Sequence, residues 1–210
     1  MVADRGPMTL AEFEALPNDG NRHEFVRGEV RVMPPPKGIH GRIEAEIVAA
    51  IIRYLDDRAL DLGWQEEQGP DERDRLVGFA AGGEFGVQFS LPDDPTQVRG
   101  VDGVYVPAEQ WARVVWGERD WFPEVPALVI EVISPSESAT DVNEKVQDYL
   151  AGGARRVWCV YPARRTVHVH DAHAPTRVVQ WNDTLNDDEL LPGFALRLKR
   201  IFSAPPDKKR

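Results

Sequence analysis

The chain has 210 residues, of which 42% are hydrophobic and 29% are charged, and its formal net charge at pH 7 is −10. This composition is typical of an ordinary soluble globular protein, and the acidic balance argues against a surface that binds nucleic acid everywhere. Cys159 is the only cysteine, which excludes an intrachain disulfide and a cysteine-based zinc cluster. Since the chain shows no signal-peptide pattern and no apolar run of membrane-spanning length, we expect a cytoplasmic protein with no membrane partner.

The N-terminal half predicts a short helix, a hairpin and a long helix. Residues 9–16 predict the short helix, because they open with a capping box. Residues 23–33 alternate around Arg27 and Gly28, which is typical of two strands joined by a tight turn. Residues 64–83 are charged and glycine-rich, and they predict an irregular segment with room for one short strand. Before that segment, apolar residues at helical spacing predict the long helix: Ile43, Ile47, Ala50, Ile51, Tyr54 and Leu55.

The C-terminal half predicts strands interleaved with two helices. Residues 107–115 predict a short amphipathic helix, residues 117–126 a loop, and residues 137–150 a longer helix with a serine cap. This order predicts an α/β fold with a single domain over residues 1–202, followed by a disordered tail at residues 203–210. The predicted strands are residues 85–91, 101–106, 127–133, 156–161, 166–171 and 177–181.

Glu131 is the most unexpected residue of the chain. It interrupts an apolar run over residues 127–133 that is typical of a central strand buried on both faces. An ionised carboxylate there costs several kcal/mol unless a cation, a proton or hydrogen bonds compensate it. A bound divalent metal ion is one natural compensation.

Lys145 lies on the helix that follows this strand. It falls between Val142 and Tyr149, so it projects from the edge of the buried face, where its stem can pack and its ammonium can reach the strand ends. Lysine is much rarer than arginine in this chain, which suggests a need for a compact ammonium at this position. The alternative is a surface ion pair with Asp141, one helical turn earlier, worth about 0.2–0.5 kcal/mol.

The basic residues of the chain are unevenly distributed. Residues 22–42 hold five basic residues against two acids, and residues 155–165 hold four arginines and no acid. A local basic face is therefore compatible with the acidic total, although solvated surfaces are the common explanation for such segments.

Two motifs close together give the chain its family resemblance. Glu131 opens a Glu-Val-Ile-Ser-Pro-Ser block, and Asp141, Lys145 and Tyr149 follow at intervals of four residues. With these motifs the chain resembles the Uma-two family, the restriction-endonuclease-like branch of the PD-(D/E)XK nuclease superfamily. Further matches run through most of the chain: Met8 and Thr9 with Glu12 and Phe13, residues 23–29, His40, Asp102, Gly153, residues 157–160 and residues 191–194.

The chain departs from the wider pattern at two positions. Val101 stands where the family usually has the proline before Asp102, and Ile133 stands where the superfamily usually has its lysine. The first change is mild, because proline shapes the turn but does not bind metal. The second is the family's own pattern, in which the helix lysine, here Lys145, replaces the strand lysine.

The resemblance implies a restriction-endonuclease-like mixed central sheet flanked by helices, and a metal-dependent endonuclease that hydrolyses DNA phosphodiester bonds. It implies that Asp102 and Glu131, with the backbone carbonyl of Val132, hold Mg²⁺ or Mn²⁺, since hard cations prefer oxygen ligands. Lys145 then orients the attacking water or stabilises charge in the transition state. Glu24 matches an early family glutamate and is an additional candidate for the catalytic site.

Several alternatives stay open at this point. Glu24 can equally be a strand residue paired with an arginine, and Glu46 and His40 on the long helix are weaker site candidates. His168 and His170 lie two apart on a strand, but no third ligand completes a zinc site, so we expect surface residues. The protein can also be a catalytically silent binding module with the same fold, or a hydrolase of another phosphate ester. Symmetric cleavage of two strands would require a homodimer.

Overall fold

The structure is a computed structural model that describes residues 8–17, 19–33, 38–115 and 121–202. The described residues form helices α1 (Leu10–Glu14), α2 (Gly38–Asp61), α3 (Gly69–Val77), α4 (Ala108–Trp111) and α5 (Ala139–Ala151). Their strands are β1 (Arg22–Val26), β2 (Glu29–Met33), β3 (Phe79–Leu91), β4 (Asp94–Val106), β5 (Leu128–Val132), β6 (Arg156–Tyr161), β7 (Thr166–Asp171), β8 (Arg177–Gln180), β9 (Thr184–Asp187) and β10 (Leu191–Arg197).

A mixed, mostly antiparallel sheet forms the centre of the molecule. Its strands follow the order β2-β1-β4-β5-β6-β7-β8, and β3 pairs with β4. Strands β5 and β6 are parallel, as a helical crossover requires, and α5 supplies that crossover. Strands β9 and β10 form a separate antiparallel pair. The predicted fold class, a mixed sheet flanked by helices, is confirmed.

Strand β5 separates two apolar layers, and this separation determines where Glu131 points. All five residues of β5 are buried, as the apolar run predicts. Leu128, Ile130 and Val132 pack in the core that contains the buried stripe of α2. Val129 packs instead with the buried face of α5, as the two-residue period of a strand requires. The same alternation places Glu131 on the α5 side of the sheet.

Helix α5 begins and ends where local chemistry dictates. The hydroxyl oxygen of Ser138 accepts a hydrogen bond from the backbone N–H of Asp141 at 3.1 Å, which satisfies one free donor of the first turn. The helix ends at Gly152 and Gly153. Gly153 adopts φ +113°, a backbone conformation that residues other than glycine rarely adopt. These two ends set the extent of the helix that carries Lys145 and Tyr149.

Several predicted boundaries were wrong. Residues 64–83 are not irregular: they contain a short 3-10 helix (Glu66–Gln68), all of α3 and the start of β3. Helix α3 escaped prediction because its buried residue, Asp74, is an acid that pairs with Arg73 at 2.7 Å, so no apolar stripe marks it. Strands β3 and β4 also start earlier than predicted, because glycines interrupt their alternation.

The end of the chain adds elements that the sequence pattern did not show. Strands β9 and β10 were not predicted, and α4 is shorter than the helix predicted over residues 107–115. Residues 117–120 of the predicted loop and the predicted tail at residues 203–210 lie outside the described residues. No helix of the described part is long and apolar enough to cross a membrane.

Candidate active site

A cavity of about 720 Å³ lies where α2 begins, where β5 ends and where α5 passes along the sheet. Charged side chains of both signs line it, together with the backbone of the β5 end and the turn after β6. The lining residues with ionisable groups are Asp102, Glu131, Glu137, Asp141, Arg22, His40 and Lys145. The three residues with the strongest sequence signal, Asp102, Glu131 and Lys145, therefore share one cavity.

Glu131 is only 3% exposed, and both of its carboxylate oxygens have partners. Its Oε1 accepts a hydrogen bond from the Tyr149 hydroxyl at 2.7 Å, and its Oε2 lies 3.2 Å from Lys145 Nζ. Burial raises the pKa of Glu131 to about 7, although the neighbouring Lys145 ammonium opposes the rise. The compensation expected for this buried acid is thus supplied in part by a cation and a hydroxyl.

Lys145 is buried, and its ammonium forms ion pairs with two acids. Its Nζ lies 3.3 Å from Glu137 Oε1 as well as beside Glu131, while Asp141 hydrogen-bonds the Ser138 hydroxyl at 2.7 Å. Burial alone would lower the pKa of Lys145, but the surrounding carboxylates outweigh it and raise the pKa, so the side chain stays an ammonium. The alternative of an exposed Asp141–Lys145 pair is wrong, because Lys145 is only 6% exposed.

Asp102 is held at the junction of β4 and β5. Strand pairing sets Gly103 opposite Ile130, which brings the neighbouring Asp102 and Glu131 close together. The Asp102 Oδ2 accepts a hydrogen bond from the backbone N–H of Val132 at 2.6 Å. Residue 132, the proposed carbonyl ligand, is therefore fixed against the carboxylate with which it would share a metal ion.

A second group of possible metal ligands adjoins Asp102. One ligand atom each of His40, Glu44 and Asp102 lies within 4.8 Å of the others. His40 Nε2 is 3.1 Å from Asp102 Oδ1, and this contact raises the pKa of His40 despite its partial burial. Glu44 was missed in the sequence, although it lies one helical turn after His40. Glu46, the acid considered on this helix, belongs neither to this group nor to the cavity lining.

Glu24 lies beside the cavity rather than in it. It is 1% exposed, its Oε1 accepts a hydrogen bond from Arg22 at 3.3 Å, and its Oε2 lies 3.6 Å from Arg99 Nη1. These contacts match the alternative of a strand acid paired with arginines. Its charge still reaches the site, because it helps to raise the pKa of Lys145.

A buried ionic network, which the sequence pattern did not indicate, anchors α5 to the sheet. Arg99 of β4 is fully buried, and its Nη2 donates a hydrogen bond to Asp148 Oδ2 at 2.5 Å. Arg27, in the β1–β2 turn, donates to the other Asp148 oxygen at 3.1 Å. Asp148 lies directly before Tyr149 and three residues after Lys145, so this network fixes the helical turn that presents both side chains to Glu131.

The histidines of β7 do not form a metal site with other described residues. The rings of His168 and His170 are 6.4 Å apart, and His170 Nδ1 lies 3.1 Å from the Thr176 hydroxyl oxygen. Burial lowers the pKa of both imidazoles, which favours their neutral forms. Cys159 is buried in β6, as predicted for a core residue.

The donor atoms around the cavity fit a divalent cation. Asp102 and Glu131 offer carboxylate oxygens, which hard cations such as Mg²⁺ and Mn²⁺ prefer. Burial raises the pKa of Glu131 even beside Lys145, so a further positive charge next to this carboxylate would favour its ionised form. His40 adds an imidazole nitrogen, which suits Mn²⁺ better than Mg²⁺. The arrangement can therefore hold a metal ion next to an ammonium, a combination suited to phosphate chemistry.

Comparisons with known proteins agree with this geometry. The structure resembles a crystal structure from Anabaena variabilis described as a "putative nuclease belonging to DUF820", with a TM-score of 0.69 and 22% identity over 93% of this chain and 98% of that one. The likeness shows a shared fold. A search of curated proteins finds no match. The family model Uma2, described as "Putative restriction endonuclease", matches residues 10–199. Because that match spans most of the sequence, the chain belongs to the Uma2 family.

Proposed function

We propose that the protein is a metal-dependent endonuclease that hydrolyses DNA phosphodiester bonds. The observation that carries the proposal is the convergence of Asp102, Glu131 and Lys145 on one cavity, in a chain of the Uma2 family. The Anabaena protein is described as a "putative nuclease", which agrees with the proposal.

Asp102, Glu131 and the carbonyl of Val132 would hold Mg²⁺ or Mn²⁺ at the end of β5. The ion would supply a bound water of lowered pKa and polarise the scissile phosphate. Asp102 is oriented for this role by the Val132 N–H, and Glu131 by the Tyr149 hydroxyl. Both carboxylates are thus fixed before the metal binds, which reduces the cost of ordering them.

Lys145 would orient the attacking water and stabilise the negative charge that develops on the phosphate. Its ammonium lies 3.2 Å from Glu131, so a cation and a metal ligand are adjacent in the cavity. A preorganised cation in a site shielded from water is worth more than the same charge on the surface. Glu24 would act through its effect on Lys145 and Arg99, as a positioning residue beside the site.

His40 and Glu44 would extend the ligand set on the other side of Asp102. Their ligand atoms lie within reach of one ion shared with Asp102. A histidine nitrogen in that set favours Mn²⁺ over Mg²⁺, because Mg²⁺ binds oxygen almost exclusively. DNA as the substrate and a homodimer that cuts both strands remain predictions from the family resemblance, as does a cytoplasmic location.

A second candidate function is a binding module without catalysis. One observation favours it: Glu131 already has Lys145 and Tyr149 as partners, and these two groups compensate its burial in part without a metal ion. The acidic net charge points the same way, since it disfavours broad contact with DNA.

Plasmid nicking by the wild type and by Lys145→Gln distinguishes the two functions. With Mg²⁺ or Mn²⁺ present, we expect the wild type to nick the plasmid and Lys145→Gln to do so at least ~10²-fold more slowly, as for removal of one transition-state contact. Glu109→Gln, an exposed residue of α4, is the matched control and should keep full activity. Purified wild type that binds metal but nicks no DNA would favour the binding module.

A further inference from the structure

The turn between β6 and β7 connects the cavity to a basic surface. Pro162 and Ala163, the first residues of this turn, line the cavity, and Arg164 and Arg165 follow them. Arg165 adopts φ +54°, a left-handed conformation that is uncommon for a residue other than glycine. Such a conformation persists only where the surrounding structure fixes it. The backbone conformation at Arg165 is therefore set by the fold.

Trp181 holds two cations beside this turn. Strand register pairs Thr166 with Gln180, which brings the residue after Gln180 next to the turn. Trp181 is 41% exposed, with Arg165 Cζ at 5.7 Å and Lys199 Nζ at 5.0 Å from its ring centroid. A cation–π contact orients a charged group but leaves its charge and its hydrogen-bond donors available to an anion. We call Arg164, Arg165, Trp181 and Lys199 the Trp181 patch.

The cations of the Trp181 patch differ from Arg155 and Arg156, the other two arginines of the basic segment 155–165. Arg155 and Arg156 both pair with Glu189, so their charges are balanced within the protein. Within the described ranges, by contrast, no acid forms an ion pair with any cation of the patch. The carboxylate nearest to it in sequence, that of Asp183, accepts a hydrogen bond from the backbone N–H of Gln180 at 3.3 Å.

The acidic cavity creates a need for such a patch. Four carboxylates line the cavity, and the chain carries a net charge of −10. Neither the cavity carboxylates nor the overall charge of the protein attracts a polyanion. Affinity for a nucleic acid must come from cations placed where the strand approaches. The Trp181 patch adjoins the cavity through a four-residue turn. The indole orients the charged groups of Arg165 and Lys199 in advance, which lowers the entropy lost on binding.

We infer that the Trp181 patch binds the phosphates of the DNA strand whose scissile bond enters the cavity. This inference rests on the proposed nuclease function, because it assigns the surface that would hold the substrate of that site. The ligand of the patch is identified by its chemistry, which is a run of phosphodiesters. Arg165 and Lys199, the two cations oriented by the indole, would each contact one phosphate.

The test measures DNA binding separately from DNA cleavage. Fluorescence anisotropy of a labelled DNA duplex, in EDTA and at several salt concentrations, gives the affinity and its salt dependence without hydrolysis. We expect the double variant Arg165→Gln/Lys199→Gln to bind about tenfold more weakly, and the slope of log affinity against log salt to fall by about 1.8, as for two lost phosphate contacts. Arg113→Gln, a 64%-exposed arginine, is the matched control and should change neither quantity.

Trp181→Ala tests the role of the indole. It keeps every charge, so we expect weaker binding with an unchanged salt slope, and Trp181→Phe should restore most of the affinity because a ring remains. An unchanged affinity and slope in the Arg165→Gln/Lys199→Gln variant would overturn the inference, as would a wild type that binds no DNA. If DNA binding depends on the Trp181 patch but the protein never cleaves DNA, the inference that the patch binds phosphates would stand and the proposed nuclease function would be refuted.

Discussion

Glu131→Gln is expected to stabilise the metal-free protein at neutral and alkaline pH and to lose that advantage in acid. Burial raises the pKa of Glu131 in the folded protein to about 7, above its ordinary value of 4.5. The folded state therefore binds this proton more tightly than the unfolded chain does. The stability that the protonated Glu131 side chain contributes is fully present below about pH 4.5, and it is lost as the pH rises through about 7.

The size of this effect follows from the two pKa values. Their difference, 7 minus 4.5, is about 2.5, and each tenfold change in an equilibrium constant corresponds to about 1.4 kcal/mol, which gives about 3–4 kcal/mol. Glu131 is almost fully buried, so solvent screening does not reduce this figure much. Glutamine imitates the neutral acid and can still accept the hydrogen bond from the Tyr149 hydroxyl. The variant should thus be more stable than the wild type by about this amount above about pH 8.

Urea unfolding followed by circular dichroism, in EDTA and across the range from about pH 5 to about pH 8.5, measures the difference between the two proteins. The stability gain of Glu131→Gln should shrink toward zero at the acidic end. Glu109→Gln should show no gain at any pH. A variant that is equal to or less stable than the wild type above about pH 8 would refute the reasoning, because Lys145 and Tyr149 would then fully compensate the buried charge.

Two further predictions concern the residues that hold Glu131 and its partners on α5 in place. Tyr149→Phe removes the 2.7 Å hydrogen bond to Glu131, so we expect a stability loss of about 1–2 kcal/mol in urea unfolding and slower plasmid nicking than in the wild type. Asp148→Ala leaves the fully buried Arg99 without its closest partner and should cost about 3–5 kcal/mol. Glu144→Ala, which removes a more exposed partner of the same arginine, should cost less than about 1 kcal/mol; equal losses would contradict the role assigned to Asp148.

The sequence indicated the centre of the fold better than its margins. The β5 run and the α5 stripe were predictable because burial on a strand or a helix face leaves a period in the sequence. Strand β3 starts earlier than predicted because glycines, Gly82 among them, interrupt the pattern, and Gly82 pairs with Gly103 of β4. The close approach of Val48 explains these glycines, since an added Cβ would lie 2.9 Å and 3.0 Å from its methyl group. Such contacts between distant segments leave no local trace.

In the candidate site, too, some residues could be recognised from the sequence and others could not. Glu131 stood out in the sequence because a charge within an apolar run has no other ready explanation. Glu44 and Asp148 did not, because an acid on a helix is ordinary until the fold shows that it is buried against the sheet. Their significance depends on Asp102 and Arg99, partners from β4 that sequence spacing cannot place beside them.

Calorimetric titration of Mn²⁺ into the wild type and Glu131→Ala, with plasmid nicking by the same samples, tests the central claim most directly. The metal-nuclease account predicts that the wild type binds the ion and nicks the plasmid, and that Glu131→Ala does neither while remaining folded by circular dichroism. Nicking that persists in folded Glu131→Ala, or a wild type that binds no metal, would contradict the account.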